Sequence, residues 1–139
     1  MNQKILLLLA AIALGFCLCV IVMAAGVFLF ASGLTQPAAT VGEEFMTALK
    51  DGDYQKAFSL CSPALQRELG GNATGLERLI KNGRVEPTAW TFSSRNVQNN
   101  EAELTGTATF TGNRQGTVRV TLGQAGGKWQ VIGFNLREQ

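Results

Sequence analysis

The stretch DGDYQKAFSLCSP, Asp51 to Pro63, gathers two aspartates, a tyrosine, a lysine and a cysteine into thirteen residues. Two chemistries could be built on it. Oxygen ligands two residues apart, as at Asp51 and Asp53, suit Mg²⁺ or Ca²⁺, and Cys61 would be a nucleophile if a base stood beside it. The chain contains no histidine. That removes the commonest proton shuttle and metal ligand, leaving only a carboxylate or a lysine to activate the thiol. Glu101 and Glu103 alternate with the apolar Ala102 and Leu104. This period sends both glutamates to solvent or to the outer face of a sheet, where they make poor general bases.

The same residues have simpler structural uses. Gly52 can take the left-handed conformation that closes a helix, and Asp53 can cap the next one. Tyr54, Ala57, Phe58 and Cys61 then recur at i, i+3, i+4 and i+7, which makes the tyrosine and the cysteine part of a buried stripe. The stretch reads as a helix junction, with no residue assigned to catalysis, to a cofactor or to a metal.

The flanking elements follow from the same patterns. Thr40 and Glu43 have capping-box spacing, and Val41, Phe45, Ala48 and Leu49 fall on one helical face behind them. After the junction, Ser62 and Pro63 restart a helix with Leu65 and Leu69 inward, and Gly70–Gly71 stop it. Thr74 and Glu77 repeat the capping-box spacing ahead of Leu76, Leu79 and Ile80, and Asn82–Gly83 close that helix. From Arg84 the period becomes two. Trp90, Phe92 and Ser94 share one face of a first strand; Ala102, Leu104, Gly106, Ala108 and Phe110 one face of a second; Val118, Val120 and Leu122 one face of a third. In the last strand Trp129 and Val131 lie on one parity and Ile132, Phe134 and Leu136 on the other, which predicts a bulge near Ile132 and Gly133 or burial on both faces. The expected fold class is α+β, helices packed on a four-stranded antiparallel meander.

Helices ending in LKDGDYQKAFSLCSPALQREL, then a meander closing on GGKWQVIGFNL, resemble bacterial members of the nuclear transport factor 2-like (NTF2-like) superfamily. The matching parts are Gly52 to Ala57, the restart at Ser62 and Pro63, and the final strand from Trp129 to Phe134. The resemblance implies a cone-shaped α+β fold whose sheet wraps the helices around a pocket, used by some members for catalysis and by others for small ligands or protein contacts. Candidate lining residues here are Tyr54, Phe58, Trp90, Phe92, Ser94, Leu104, Phe110, Trp129 and Phe134. Ser94 and Asn96, continuing the inward parity of Trp90 and Phe92, either line the mouth of that pocket or, the preferred reading, belong to a strand that outruns its core. Trp90 and Trp129 are either cone core or a stacking surface for a ligand. A fold alone does not choose among such uses.

The N-terminus has a different character. Ile5 to Phe30 runs 26 residues without a charge, Asn, Gln or Pro. As a helix rising about 1.5 Å per residue it would be roughly 39 Å long, enough to span a hydrocarbon core of about 30 Å with some tilt. A signal peptide cleaved after Ala31–Gly33 is the competing reading, but its apolar region would be only about 7–15 residues. Cys17 and Cys19 lack the preceding small residue that lipid modification wants. Lys4 precedes the run and no Lys or Arg follows it until Lys50, so the positive-inside bias places the N-terminus in the cytoplasm and the rest outside. Ala11, Gly15 and Cys19 form a small-xxx-small stripe that would let another membrane helix approach closely, a pattern that is also common by chance.

The expected organisation is a cytoplasmic tip and transmembrane helix over residues 1–31, a linker over 32–40 and an exported cone domain over 41–139. Cys61 is the only cysteine of the exported part, so no disulfide forms within it. Past the anchor, eleven basic residues face ten acidic ones without a basic cluster, and nucleic acid is a poor partner. The functional expectation is a non-catalytic binding module of the cell membrane, an accessory subunit that contacts another membrane or exported protein. The alternatives are a carrier or sensor holding a small apolar ligand in the cone, and an enzyme with a buried carboxylate base.

Overall fold

The computed structural model describes residues 38–139. The apolar run Ile5–Phe30, with Ala11, Gly15 and Cys19, lies outside the described residues; among those described, no helix is long and apolar enough to cross a membrane. Helices α1 (Ala38–Lys50), α2 (Tyr54–Ser59), α3 (Pro63–Glu68) and α4 (Ala73–Asn82) precede strands β1 (Pro87–Gln98), β2 (Glu101–Phe110), β3 (Arg114–Ala125) and β4 (Lys128–Glu138). The strands form one antiparallel sheet in the order β1-β2-β3-β4. The fold is α+β, and its helical half ends where the hydrophobic period changes.

Local side-chain-to-backbone bonds open three of the four described helices. Gly52 sits at φ 72° after α1, and the Asp53 carboxylate accepts from the Lys56 N–H at 3.1 Å to open α2. Ser62 Oγ accepts from the Leu65 N–H at 3.3 Å, with Pro63 at the first helical position of α3. Neither expected capping box forms. Thr40 lies inside α1, which already runs from Ala38. Thr74 lies inside α4, whose cap is Asn72, extended at φ −151° and ψ 162° after the two glycines and accepting from the Gly75 N–H at 3.1 Å. At the other end of α4, Gly83 is right-handed and Arg84 takes the left-handed turn at φ 53°.

One continuous core joins the two halves. Val41, Phe45, Met46, Ala48 and Leu49 of α1 pack with Leu76 and Ile80 of α4 and with the inward sheet residues Leu104, Phe110, Val118, Val120 and Leu122. Leu79 does not join them. It is 50% exposed, because Leu76 and Ile80 already occupy the inward face of α4.

Three register shifts shape the sheet, the first at Thr88, between Pro87 and Ala89 at the start of β1. Opposite Leu122 and Thr121 the β4 register slips between Val131 and Gly133, which leaves Ile132 as the extra residue and lets Val131, Phe134 and Leu136 all face inward. On β1, Phe92 pairs with Gly106 but Ser94 pairs with Thr105, so Ser93 is extra. The parity of the strand reverses there. Ser94 and Asn96 pair with the outward Thr105 and Glu103, while Arg95 and Val97 pair with the inward Leu104 and Ala102. The expected inward parity of Ser94 and Asn96 with Trp90 and Phe92 is therefore corrected: both belong to the outer face.

Gly106 makes this bend possible. A Cβ there would run into the Thr91 carbonyl, where β1 crosses closely on its way into the bulge. Gly106→Ala is expected to cost about 1–3 kcal/mol in a denaturant titration, whereas Gly133→Ala, with open space at its Cβ position, stays within about 0.5 kcal/mol of the parent.

Candidate functional site

Of the residues with chemical potential at 51–63, Asp53, Tyr54 and Cys61 are committed to structure. Asp51 is exposed and Asp53 serves as a helix cap. Cys61 is 1% exposed; its thiol donates to the Ala57 carbonyl at 3.4 Å, and burial pushes its pKa from 9.0 up to about 12. A thiol in that state is protonated at neutral pH and no nucleophile. Tyr54 is buried beneath Lys81, whose ammonium lies 5.8 Å from the ring centroid. Burial and the nearby Glu86 raise the phenol pKa. Glu77 in turn pairs with Lys81 at 2.5 Å, and Lys81 titrates above its ordinary value chiefly because of that bond. Among the described residues no three or more Cys, Asp or Glu side chains converge as a metal site would require.

The expected lining residues divide by depth. Leu104 and Phe110 are fully buried, and Tyr54 and Phe92 nearly so. Phe58, Trp90, Trp129 and Phe134 are partly buried and pack against the same core. Phe134 meets Phe45 of α1 at 5.2 Å between ring centroids, tilted by 49°. Along this seam the described helices and the sheet are in side-chain contact.

At the rim of the seam lies a pairing that sequence reasoning missed. The Trp90 indole N–H donates to a Glu43 carboxylate oxygen at 2.6 Å, across 47 positions of chain. A shallow hollow of about 260 Å³ opens beside it, bordered by Lys50, Thr88 and Ala89. Arg114 was missed too. It donates to the Thr111 carbonyl at 3.1 Å, to Glu138 at 2.6 Å and to the Arg84 carbonyl, tying the β2–β3 turn to the end of β4 and to the connection before β1. No local pattern announces either contact.

Two larger hollows open on the outer face of the sheet. One, of about 560 Å³, is bordered by the amides Asn96, Gln98, Asn99 and Asn100 with Glu101, Glu103 and Thr121. The other, of about 460 Å³, is bordered by Ser93, Thr105, Gly106, Thr107, Thr117, Val118, Arg119, Asn135 and Arg137. Arg119 and Glu103 stand between them, 3.8 Å apart.

Two expected outcomes follow from the buried groups. In a Cys17→Ser, Cys19→Ser background, the Cys61 thiol stays unlabelled by a thiol-reactive dye at pH 8 until denaturant unfolds the chain. Because the raised Cys61 and Tyr54 pKa values keep protons on the folded form after the unfolded chain has lost them, stability falls as pH rises from 9.0 toward about 12. Cys61→Ala makes that decline shallower in pH-resolved denaturation. Separately, Trp90→Phe is expected to cost about 1–2 kcal/mol through the lost bond to Glu43, and Glu43→Ala in that background adds less than it does alone.

No protein-family model matches the chain, and no curated protein matches it. Solved structures do. A Campylobacter jejuni protein described as a candidate NTF2-like transpeptidase superposes with a TM-score of 0.51 at 16% sequence identity, covering 68% of this chain and 96% of that one. A de novo designed protein with a curved β-sheet gives a TM-score of 0.49 at 14% identity, covering 73% of this chain and 99% of the design. At 16% identity the likeness to the Campylobacter jejuni protein concerns the fold. Helices first, then a bulged four-stranded antiparallel meander wrapped around them: the domain has an NTF2-like fold.

Proposed function

We propose that this chain is a non-catalytic interaction module, held at a membrane by its apolar N-terminal run and presenting the NTF2-like domain to a partner protein outside the cytoplasm. The observation that carries the reading is the division of the sheet. Its inner face is filled by core side chains, whereas the uncommitted hydroxyl, amide, carboxylate and guanidinium groups border the hollows of the outer face. Recognition by such a surface is polar and suited to a protein contact.

An acyl-transfer role, as the description of the Campylobacter jejuni protein would suggest, calls for an activated nucleophile. Cys61 does not supply one. A carrier of an apolar ligand needs room between sheet and helices, and the contact of Phe45 with Phe134 gives that reading no support. The anchor reading rests on the length and purity of the run Ile5–Phe30.

The test is extraction of tagged full-length protein from its native membrane in mild detergent, with mass spectrometry of what accompanies it. A partner in stoichiometric amount is the expected result. A protein that travels alone, from membranes grown under several conditions, would overturn the module reading.

A further inference from the structure

The hollow between β2, β3 and β4 has a donor-rich chemistry that the module reading leaves unassigned. Two cross-strand rows build it: Thr107 pairs with Thr117 and Thr117 with Arg137, while Thr105 pairs with Arg119 and Arg119 with Asn135. Arg119 and Arg137 are thus diagonal neighbours on adjacent strands, a separation of about 7–8 Å at the backbone. Two like charges so placed repel weakly, and an anion seated between them relieves that repulsion. Among the described residues Arg137 has no ion pair, and the only one Arg119 makes is the 3.8 Å contact with Glu103, whose partners are 61% and 47% exposed. A pair that long and exposed holds the guanidinium only weakly. Both forks are free to be recruited.

Resting on the module reading, we propose that this hollow docks an acidic segment of the partner protein, its carboxylates taken by Arg119 and Arg137 and its backbone flanked by Thr105, Thr107, Thr117 and Asn135. Guanidinium forks match carboxylates in a bidentate geometry that a lysine patch would not give. The volume, about 460 Å³, limits the contact to a short stretch. An anionic membrane surface is a poorer fit, since such binding calls for a polybasic cluster or an apolar anchor, and this rim carries two cations among hydroxyls and an amide.

Full-length protein in a non-ionic detergent is titrated into fluorescently labelled hexaglutamate, with hexaglutamine and hexalysine as comparisons, and anisotropy is read at low and moderate salt. Hexaglutamate is expected to bind at least tenfold more tightly than hexaglutamine, with affinity falling as salt rises. The double substitution Arg119→Gln, Arg137→Gln removes at least fivefold of that affinity, while Lys128→Gln, which deletes the same kind of charge at the start of β4, leaves it unchanged. Equal binding of hexaglutamate and hexaglutamine, or an unchanged affinity in the double variant, overturns the site. Either result leaves the module reading to stand or fall on co-extraction. A homodimer of the parent that the double variant dissociates in sedimentation would also overturn the assignment, because the occupant would then be a second copy.

Discussion

Two backbone hydrogen bonds fasten the helical layer to the sheet, and much of the domain depends on them. The Ser62 N–H donates to the Val131 carbonyl at 2.8 Å, and the Val131 N–H donates to the Leu60 carbonyl at 2.9 Å, so that Cys61 forms a one-residue parallel bridge with Val131 on the free edge of β4. Each bond contributes only about 0.5–1.5 kcal/mol net, but leaving its buried groups unpaired would cost about 1–3 kcal/mol apiece. The junction between α2 and α3 must therefore lie flush with the strand. A side chain at position 61 has to be small, apolar and sealed in, which is the use made of the cysteine. Ser62 serves twice, its N–H on the strand edge and its hydroxyl on the first turn of α3, and the Gln66 amide holds the junction from the far side through the Phe58 carbonyl at 2.9 Å.

With one edge fastened, the bulges decide what each face can do. All three lie in edge strands, Thr88 and Ser93 in β1 and Ile132 in β4, while the central pair β2–β3 keeps an unbroken register. Bulges bend the strand that carries them and spoil an edge as a template for further pairing. On β4 the bulge brings Phe134 and Leu136 back onto the inward face. On β1 the Ser93 bulge turns Val97 inward beyond the reach of the helices, where it is 57% exposed with Arg95 beside it. The β1 edge is thus the less protected of the two, guarded by its kink and an arginine.

What could be read from the sequence divides along the range of the interaction. Caps such as Asp53 and Ser62 act over three residues and are visible as residue types at fixed spacing. The Ile132 bulge was legible because apolar residues stand on both sides of it and change parity. The Ser93 bulge was not. The segment Ser93–Gln98 holds a single apolar residue, Val97, whose odd position conflicts with Trp90 and Phe92; that one conflict was the available signal. Asn72 and Thr74 offer the same capping chemistry, and the choice falls to Asn72 because the turn at Gly70–Gly71 leaves it extended. The contacts of Trp90 with Glu43 and of Arg114 with three separate segments join residues that only the folded chain brings together.

The charge layout follows from the same geometry. A domain with nearly balanced charge could scatter its signs evenly, but alternation along β2 and β3 confines outward side chains to fixed rows. Glu101 and Glu103 fall toward the β1–β2 hairpin, whereas Arg119 and Arg137 fall nearer the middle of the face. Because exposed pairs such as Arg119 with Glu103 contribute little to stability, this arrangement is not required by folding. The inner face is constrained residue by residue through packing. On the outer face the strands fix only where a side chain emerges, and its chemistry is free to answer to whatever the domain meets.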